Sequence, residues 1–219
     1  MEMILYPFKN IKLNENTSII LDSSFLLSLV YDDDNKHSEC IETLRKLLIS
    51  QCNLFITSII SSEVLNQIMY KVFIMDVQFK INKNTPFNSK NNIRSIINSF
   101  NKYDRKAIKD KRLDKLLEIP YKKYFDNLSK NTLKKDLLTV YFNTAVNMHT
   151  QLEHTLKFKY LDMNKECIFY AKELMIKHLI TVNDATILSV ANNYNIDYIL
   201  TLDSDFLYAE TTNLKILKI

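Results

Sequence analysis

The feature that most limits the fold is a set of short, nearly continuous apolar runs, two of which stop abruptly on an acid. "SIILD" ends at Asp22 and "YILTLD" ends at Asp203. Runs of this length, without helical spacing, suit strands buried on both faces. "NLFITS" and the final "LKILKI" read the same way. The stretches between them have helical spacing: Ile41, Leu44, Leu47 and Leu48 fall on one face, and Ile60, Val64, Ile68 and Val72 recur at four-residue steps. Strands alternating with helices predict a parallel sheet joined by helical crossovers.

Residues from about 85 to 158 break that rhythm. They are lysine-rich, carry a helical stripe at Leu133, Leu137, Tyr141 and Leu152, and predict an all-helical insertion divided at Pro120. From Lys71 to Asp136 there are 17 Lys/Arg against 7 Asp/Glu, so a basic middle lies between acidic ends although the whole chain is only +4. The domain expectation is a single domain over 1–219, with its core at about 17–80 and 160–219.

Composition removes several function classes. The 219 residues include no glycine, which argues against glycine-rich phosphate loops. Asparagine is expected in the turns that glycine would otherwise make, as in "NNYN" and "KNNI". Cys40, Cys52 and Cys167 have no CxxC spacing and are read as reduced thiols of a cytoplasmic protein. No apolar run reaches the roughly 20 residues of a membrane helix, and Pro7, Lys9 and Lys12 interrupt the N-terminal segment as a secretory signal.

Ligands of parallel α/β sheets gather beyond the carboxyl ends of the strands. Asp22 and Asp203 stand at two such ends, and Glu63 falls in the opening turns of the helix after "NLFITS". Asp184 opens a helix whose apolar stripe is Ile187, Leu188 and Ala191, so it points inward. Each acid alone is explained by helix capping or the helix dipole. Together, four carboxylates ~4 Å apart would repel by ~4 kcal/mol per pair at an effective dielectric near 20. An oxygen-only set without His or Cys suits a hard cation, Mg²⁺ or Mn²⁺. Ser23 and Thr201 are candidates to orient these carboxylates through hydrogen bonds.

"SIILDSSFLLSLV", "ITSIISSEVL" and "VNDATILSVANNYNIDYILTLDSDF" resemble the PIN domain, the metal-dependent nuclease fold of VapC-type toxins and several RNA-processing enzymes. The resemblance implies a three-layer α/β/α sandwich around a parallel sheet of about four or five strands. It implies Asp22, Glu63, Asp184 and Asp203 as the catalytic and metal-binding acids, with Asp205 as a further ligand. It also implies hydrolysis of RNA by an endoribonuclease, the toxin of a toxin–antitoxin pair, with an antitoxin protein and a homodimer as partners. The long interval between Glu63 and Asp184 departs from compact members, and Asn195 stands where a glycine often precedes the last core strand. The alternative from another class is an inactive PIN-fold protein that binds RNA or acts as a scaffold. A haloacid-dehalogenase-type phosphotransferase would need Asp-x-Asp after the first strand, and Ser24 occupies that place.

A nuclease needs positive charge around an acidic centre. Arg105, Lys106, Lys111, Arg112, Lys122, Lys123, Lys134 and Lys135 are the candidate phosphate contacts, with Tyr103, Tyr121 and Tyr124 as candidate stacking platforms. His149 and His154 lack the i, i+4 spacing of zinc ligands and are read as helix-face residues.

Overall fold

The computed structural model describes residues 2–9, 11–82, 93–110, 112–204, 206 and 214–219. Within them lie two compact units: Met1–Val64 with His149–Ile219, and Leu65–Met148.

The first unit is built on one six-stranded sheet. Its strands are β1 (Glu2–Leu5), β2 (Ser18–Leu21), β3 (Asn53–Thr57), β4 (Lys159–Leu161), β5 (Tyr198–Thr201) and β6 (Lys215–Lys218). The spatial order is β1-β6-β5-β2-β3-β4 and every pairing is parallel. The four apolar runs form β2, β3, β5 and β6 as expected. The two edge strands were not foreseen: β1 is a partly exposed "EMIL" and β4 is three residues, so neither has the apolar run of a two-sided strand. Ile19, Ile20 and Leu21, like Ile199 and Leu200, are fully buried at consecutive positions. Adjacent residues of a strand face opposite ways, so both faces of the centre are covered.

The covering follows from connection and handedness. Helices α1 (Ser23–Val30) and α2 (His37–Ile49) lead from β2 to β3. From β4 the chain returns through α9 (Lys165–His178) and α10 (Val182–Asn193) to β5, on the other side of β2. Right-handed crossovers running in opposite directions put the two helix pairs on opposite faces, which gives three layers. Residues Ala185 to Ala191 of α10 are buried without interruption, so this helix is enclosed on all sides. Its Ser189 hydroxyl donates to the Cys167 carbonyl of α9 at 2.7 Å.

Helix α3 (Ser58–Asn82) follows β3 without a break. Its turns to Val64 belong to the first unit and the remainder to the second. The second unit adds α4 (Ile93–Ile97), α5 (Lys102–Lys109), α6 (Leu113–Leu116), α7 (Tyr121–Ser129), a 3-10 turn at Lys135–Leu138 and most of α8 (Thr139–Leu156). It has a core of its own, including Phe73, Val77, Ile96, Phe100, Phe125, Leu138 and Tyr141. Phe73 meets Phe125 and Tyr141 edge-on, with ring centroids at 5.1 and 5.2 Å.

Two expectations for this segment fail. Tyr121 and Tyr124 are 4% and 6% exposed, because the aromatic rings fill the core; Tyr124 stacks on Phe100 with centroids 3.9 Å apart. They are not surface platforms for bases, and Tyr103, at 73% exposure, alone keeps that availability. Leu133, placed on a buried stripe by its spacing, is exposed, because it precedes the helix in a turn capped by Asn131.

Among the described residues, Phe8, Gln51, Lys157, Leu179 and Asn195 adopt positive φ. Asn195 makes the "NNYN" turn into β5 at φ 50°, the substitution for glycine that composition suggested. "KNNI" lies largely outside the described residues. Among the described residues no helix is long and apolar enough to cross a membrane.

Candidate active site

The sheet order fixes where a site belongs. From β2 the chain moves towards β3, and from adjacent β5 it moves towards β6, so the crevice beyond their carboxyl ends is the topological switch point. Asp22 follows β2 directly and Asp203 lies two residues beyond β5. Glu63 is in the second turn of α3, after neighbouring β3. Helix α10 runs down to the start of β5, so its first turn, which carries Asp184, opens at the same edge.

Asp22 is 4% exposed. It occupies the N-cap position of α1, yet its side chain makes no capping bond. Instead, one carboxylate oxygen, Oδ2, accepts from the Ser24 hydroxyl at 2.8 Å and from the Thr201 hydroxyl at 2.6 Å. Each hydroxyl both donates and accepts, since Ser24 Oγ accepts the Leu202 N–H and Thr201 Oγ1 accepts the Asp203 N–H, each at 3.0 Å. The segment after β5 is thereby tied to the first acid. Among the described residues Asp22 Oδ1 has no donor, and neither Asp22 nor Glu63 has a cation within ion-pair distance.

Glu63 is half-buried, and its carboxyl is held above the usual range. Burial is the largest cause; the charges of Asp22 and Asp184 push the same way, and a hydrogen bond from Ser23 opposes them. Three of the four predicted acids therefore share one electrostatic field. Asp184 also has an ordinary role: Thr181 caps α10 by accepting the Asp184 N–H, and its hydroxyl donates to Asp184 Oδ2 at 2.6 Å. Asp203 is exposed and joins the group through its backbone bond to Thr201. Asp205 lies outside the described residues.

The fit to a divalent cation rests on the donor set. All four side chains offer hard oxygen atoms, and Asp22 presents one oxygen already anchored and one without a donor. As placed, no three acidic, His or Cys side chains among the described residues close on a common point. The carboxylates share a field rather than a completed coordination shell.

Of the two residues expected to orient carboxylates, Thr201 meets Asp22 and Ser23 meets Glu63. Ser24 was missed, although a serine two residues after an aspartate is a known local hydrogen-bonding arrangement. His149, a helix-face residue by its spacing, does lie on α8; its face is the buried one, at 6% exposure, with Nε2 3.0 Å from Ser61 Oγ. Tyr160 and Glu153 complete that network, the tyrosine hydroxyl donating to Glu153 Oε1 at 2.5 Å.

The basic candidates lie in the second unit. Arg105 and Lys106 are exposed on α5 together with Lys102, Tyr103 and Lys109. Arg112, Lys122, Lys123 and Lys135 are exposed and Lys134 is half-buried, while Lys122 Nζ sits 4.7 Å from the Tyr70 ring centroid. Lys111 lies outside the described residues.

A parallel three-layer α/β/α sheet with acids gathered at its switch point is a PIN-like arrangement. The family model described as "PIN domain" matches residues 137–210, the segment that carries Asp184 and Asp203, so the PIN character read from the motifs holds. Comparison with curated proteins finds no match. Among solved structures the chain is similar to VapC20 of Mycobacterium tuberculosis, described as a sarcin–ricin loop cleaving toxin. Identity is 13% over 90% of this chain and 98% of that one, with a TM-score of 0.45. It is also similar to VapBC2 of Rickettsia felis bound to a DNA fragment from its promoter, at 16% identity over 90% and 97% of the two chains, with a TM-score of 0.43.

Proposed function

We propose that this chain is an endoribonuclease that hydrolyses RNA phosphodiester bonds with Mg²⁺ or Mn²⁺ held by Asp22, Glu63, Asp184 and Asp203. The observation that carries the reading is the half-buried Glu63 carboxyl, raised by burial and by the charges of Asp22 and Asp184 beside it. Repulsion of this kind is retained where a site must bind positive charge. The bound ion supplies a water of lowered pKa and stabilises charge on the phosphate.

The chain's own groups prepare that chemistry. Ser24 and Thr201 hold one oxygen of Asp22, directing the other outward, and Ser23 orients Glu63. Basic α5 supplies phosphate contacts, and exposed Tyr103 offers a face to an unpaired base. An antitoxin that covers the acidic edge, a homodimer and a cytoplasmic setting belong to the same proposal.

The second reading, a PIN-fold RNA binder without activity, draws on the capping role of Asp184 and on the absence of a closed ligand set among the described residues. Purified protein incubated with a structured RNA and Mn²⁺ decides between them. Cleavage that is abolished in both Asp22→Asn and Asp203→Asn, with RNA binding retained, supports the nuclease. Binding without cleavage in the unaltered chain supports the second reading.

A further inference from the structure

Away from the acids, the connection between β1 and β2 and the helix α2 border an open pocket of about 900 Å³. This lies within the ~300–1,000 Å³ typical of small-molecule pockets. Its walls are two-sided in character. Pro7, Phe8 and Ile11 provide apolar surface, and Phe8 is held edge-on by the Tyr6 ring at 5.8 Å. Lys9, Lys12 and Lys46 provide positive charge against a single acid, Glu42.

That acid is already engaged. Glu42 pairs with Lys46 at 2.8 Å and accepts the Tyr6 hydroxyl. Lys9 and Lys12 have no acidic partner in ion-pair distance among the described residues. A second, independent feature points to an occupant. Thr43, 1% exposed, lines the pocket, and among the described residues its hydroxyl has no hydrogen-bond partner. Enclosed hydroxyls are normally paired, so this one is a donor and acceptor kept for something that enters.

We infer that the pocket binds a small amphipathic organic anion, its apolar body against Phe8 and Ile11 and its acidic head between Lys9, Lys12 and the Thr43 hydroxyl. Neither lone inorganic phosphate nor a neutral hydrophobe satisfies both walls. None of the lining residues belongs to the acidic site, so the two sites stand or fall separately.

The test is fluorescence titration of the full chain with 8-anilino-1-naphthalenesulfonate, in EDTA, beside uncharged N-phenyl-1-naphthylamine. Competition uses octanoate and, separately, inorganic phosphate. The expected result is one saturable site that prefers the sulfonate at least tenfold and is displaced by octanoate but not by phosphate. Lys9→Glu/Lys12→Glu, with circular dichroism unchanged, weakens it at least tenfold; Thr43→Val, a second route that spares the charges, weakens it several-fold. The inference is overturned by no saturable binding, by equal affinity for the neutral dye, by displacement with phosphate alone, or by full affinity in the charge-reversed variant.

Discussion

Replacing Asp22 by asparagine should be nearly neutral for stability without metal and destabilising, relative to the unaltered chain, with it. In EDTA two effects oppose. The hydroxyls of Ser24 and Thr201 now donate to a neutral amide oxygen instead of a carboxylate, which loses about 1 kcal/mol per bond. Against this, one charge leaves the field that raises Glu63; a carboxylate pair ~7 Å apart repels by ~2 kcal/mol at an effective dielectric near 20. The variant should therefore lie within about 1 kcal/mol of the unaltered chain, a Tm difference below about 4 °C for a chain of this size. With Mn²⁺ at a hundredfold excess over its Kd, the unaltered chain gains about 2.7 kcal/mol, or roughly 5–11 °C at 2–4 °C per kcal/mol. The variant gains little. Differential scanning calorimetry in EDTA and in Mn²⁺ measures both arms. A variant destabilised by several kcal/mol in EDTA, with the same metal-induced shift as the parent, would show Asp22 to be a structural hydrogen-bond acceptor and refute the metal argument.

Three further outcomes follow from the same geometry. Glu63 has its folded pKa raised from 4.5, so in the metal-free protein its contribution to stability is complete below the ordinary glutamate range and lost as pH rises through the folded value. Glu63→Gln should match the parent at acid pH and become the more stable of the two above it; parallel Tm profiles would contradict this. His149 is lowered from 6.5 because burial outweighs Glu153 at 3.6 Å, so its contribution is present above 6.5 and lost as pH falls through the folded value. His149→Gln, which keeps a donor for Ser61, should flatten the acid side of the urea midpoint profile, and an unchanged acid slope would exclude the histidine as its source. Changing Lys102, Arg105, Lys106 and Lys109 of α5 to alanine should lower the salt slope of single-stranded RNA binding by about 3; an unaltered slope would remove α5 from the RNA path.

Much of the first unit could be read from the chain because burial on both faces leaves a continuous apolar run, as in β2 and β5. Strands β1 and β4 escaped because an edge strand does not need that run. The acids were visible through their position at strand ends, whereas their partners were not: Ser24 reaches Thr201 across 177 residues of sequence. Composition also could not say which lysine-flanked tyrosines face outward. Tyr103 and Tyr124 both lie on helices among basic residues, and only three-dimensional packing against Phe100 sends one inward. The buried setting of His149 escaped for a similar reason, because its partner Ser61 is 88 residues away.

The left-handed residues at Phe8, Gln51, Lys157, Leu179 and Asn195 carry a consequence for how much stability this scaffold holds in reserve. Each β-carbon forced into that region opposes folding by ~1–2 kcal/mol, and Gln51, Lys157 and Leu179 do so where helices end, the place glycine fills elsewhere. Leu179 is 90% exposed and has an apolar side chain with nothing to pack against. Introducing glycine or asparagine there would relieve a backbone penalty that the glycine-free composition imposes, without touching either the acidic edge or the lysine-lined pocket.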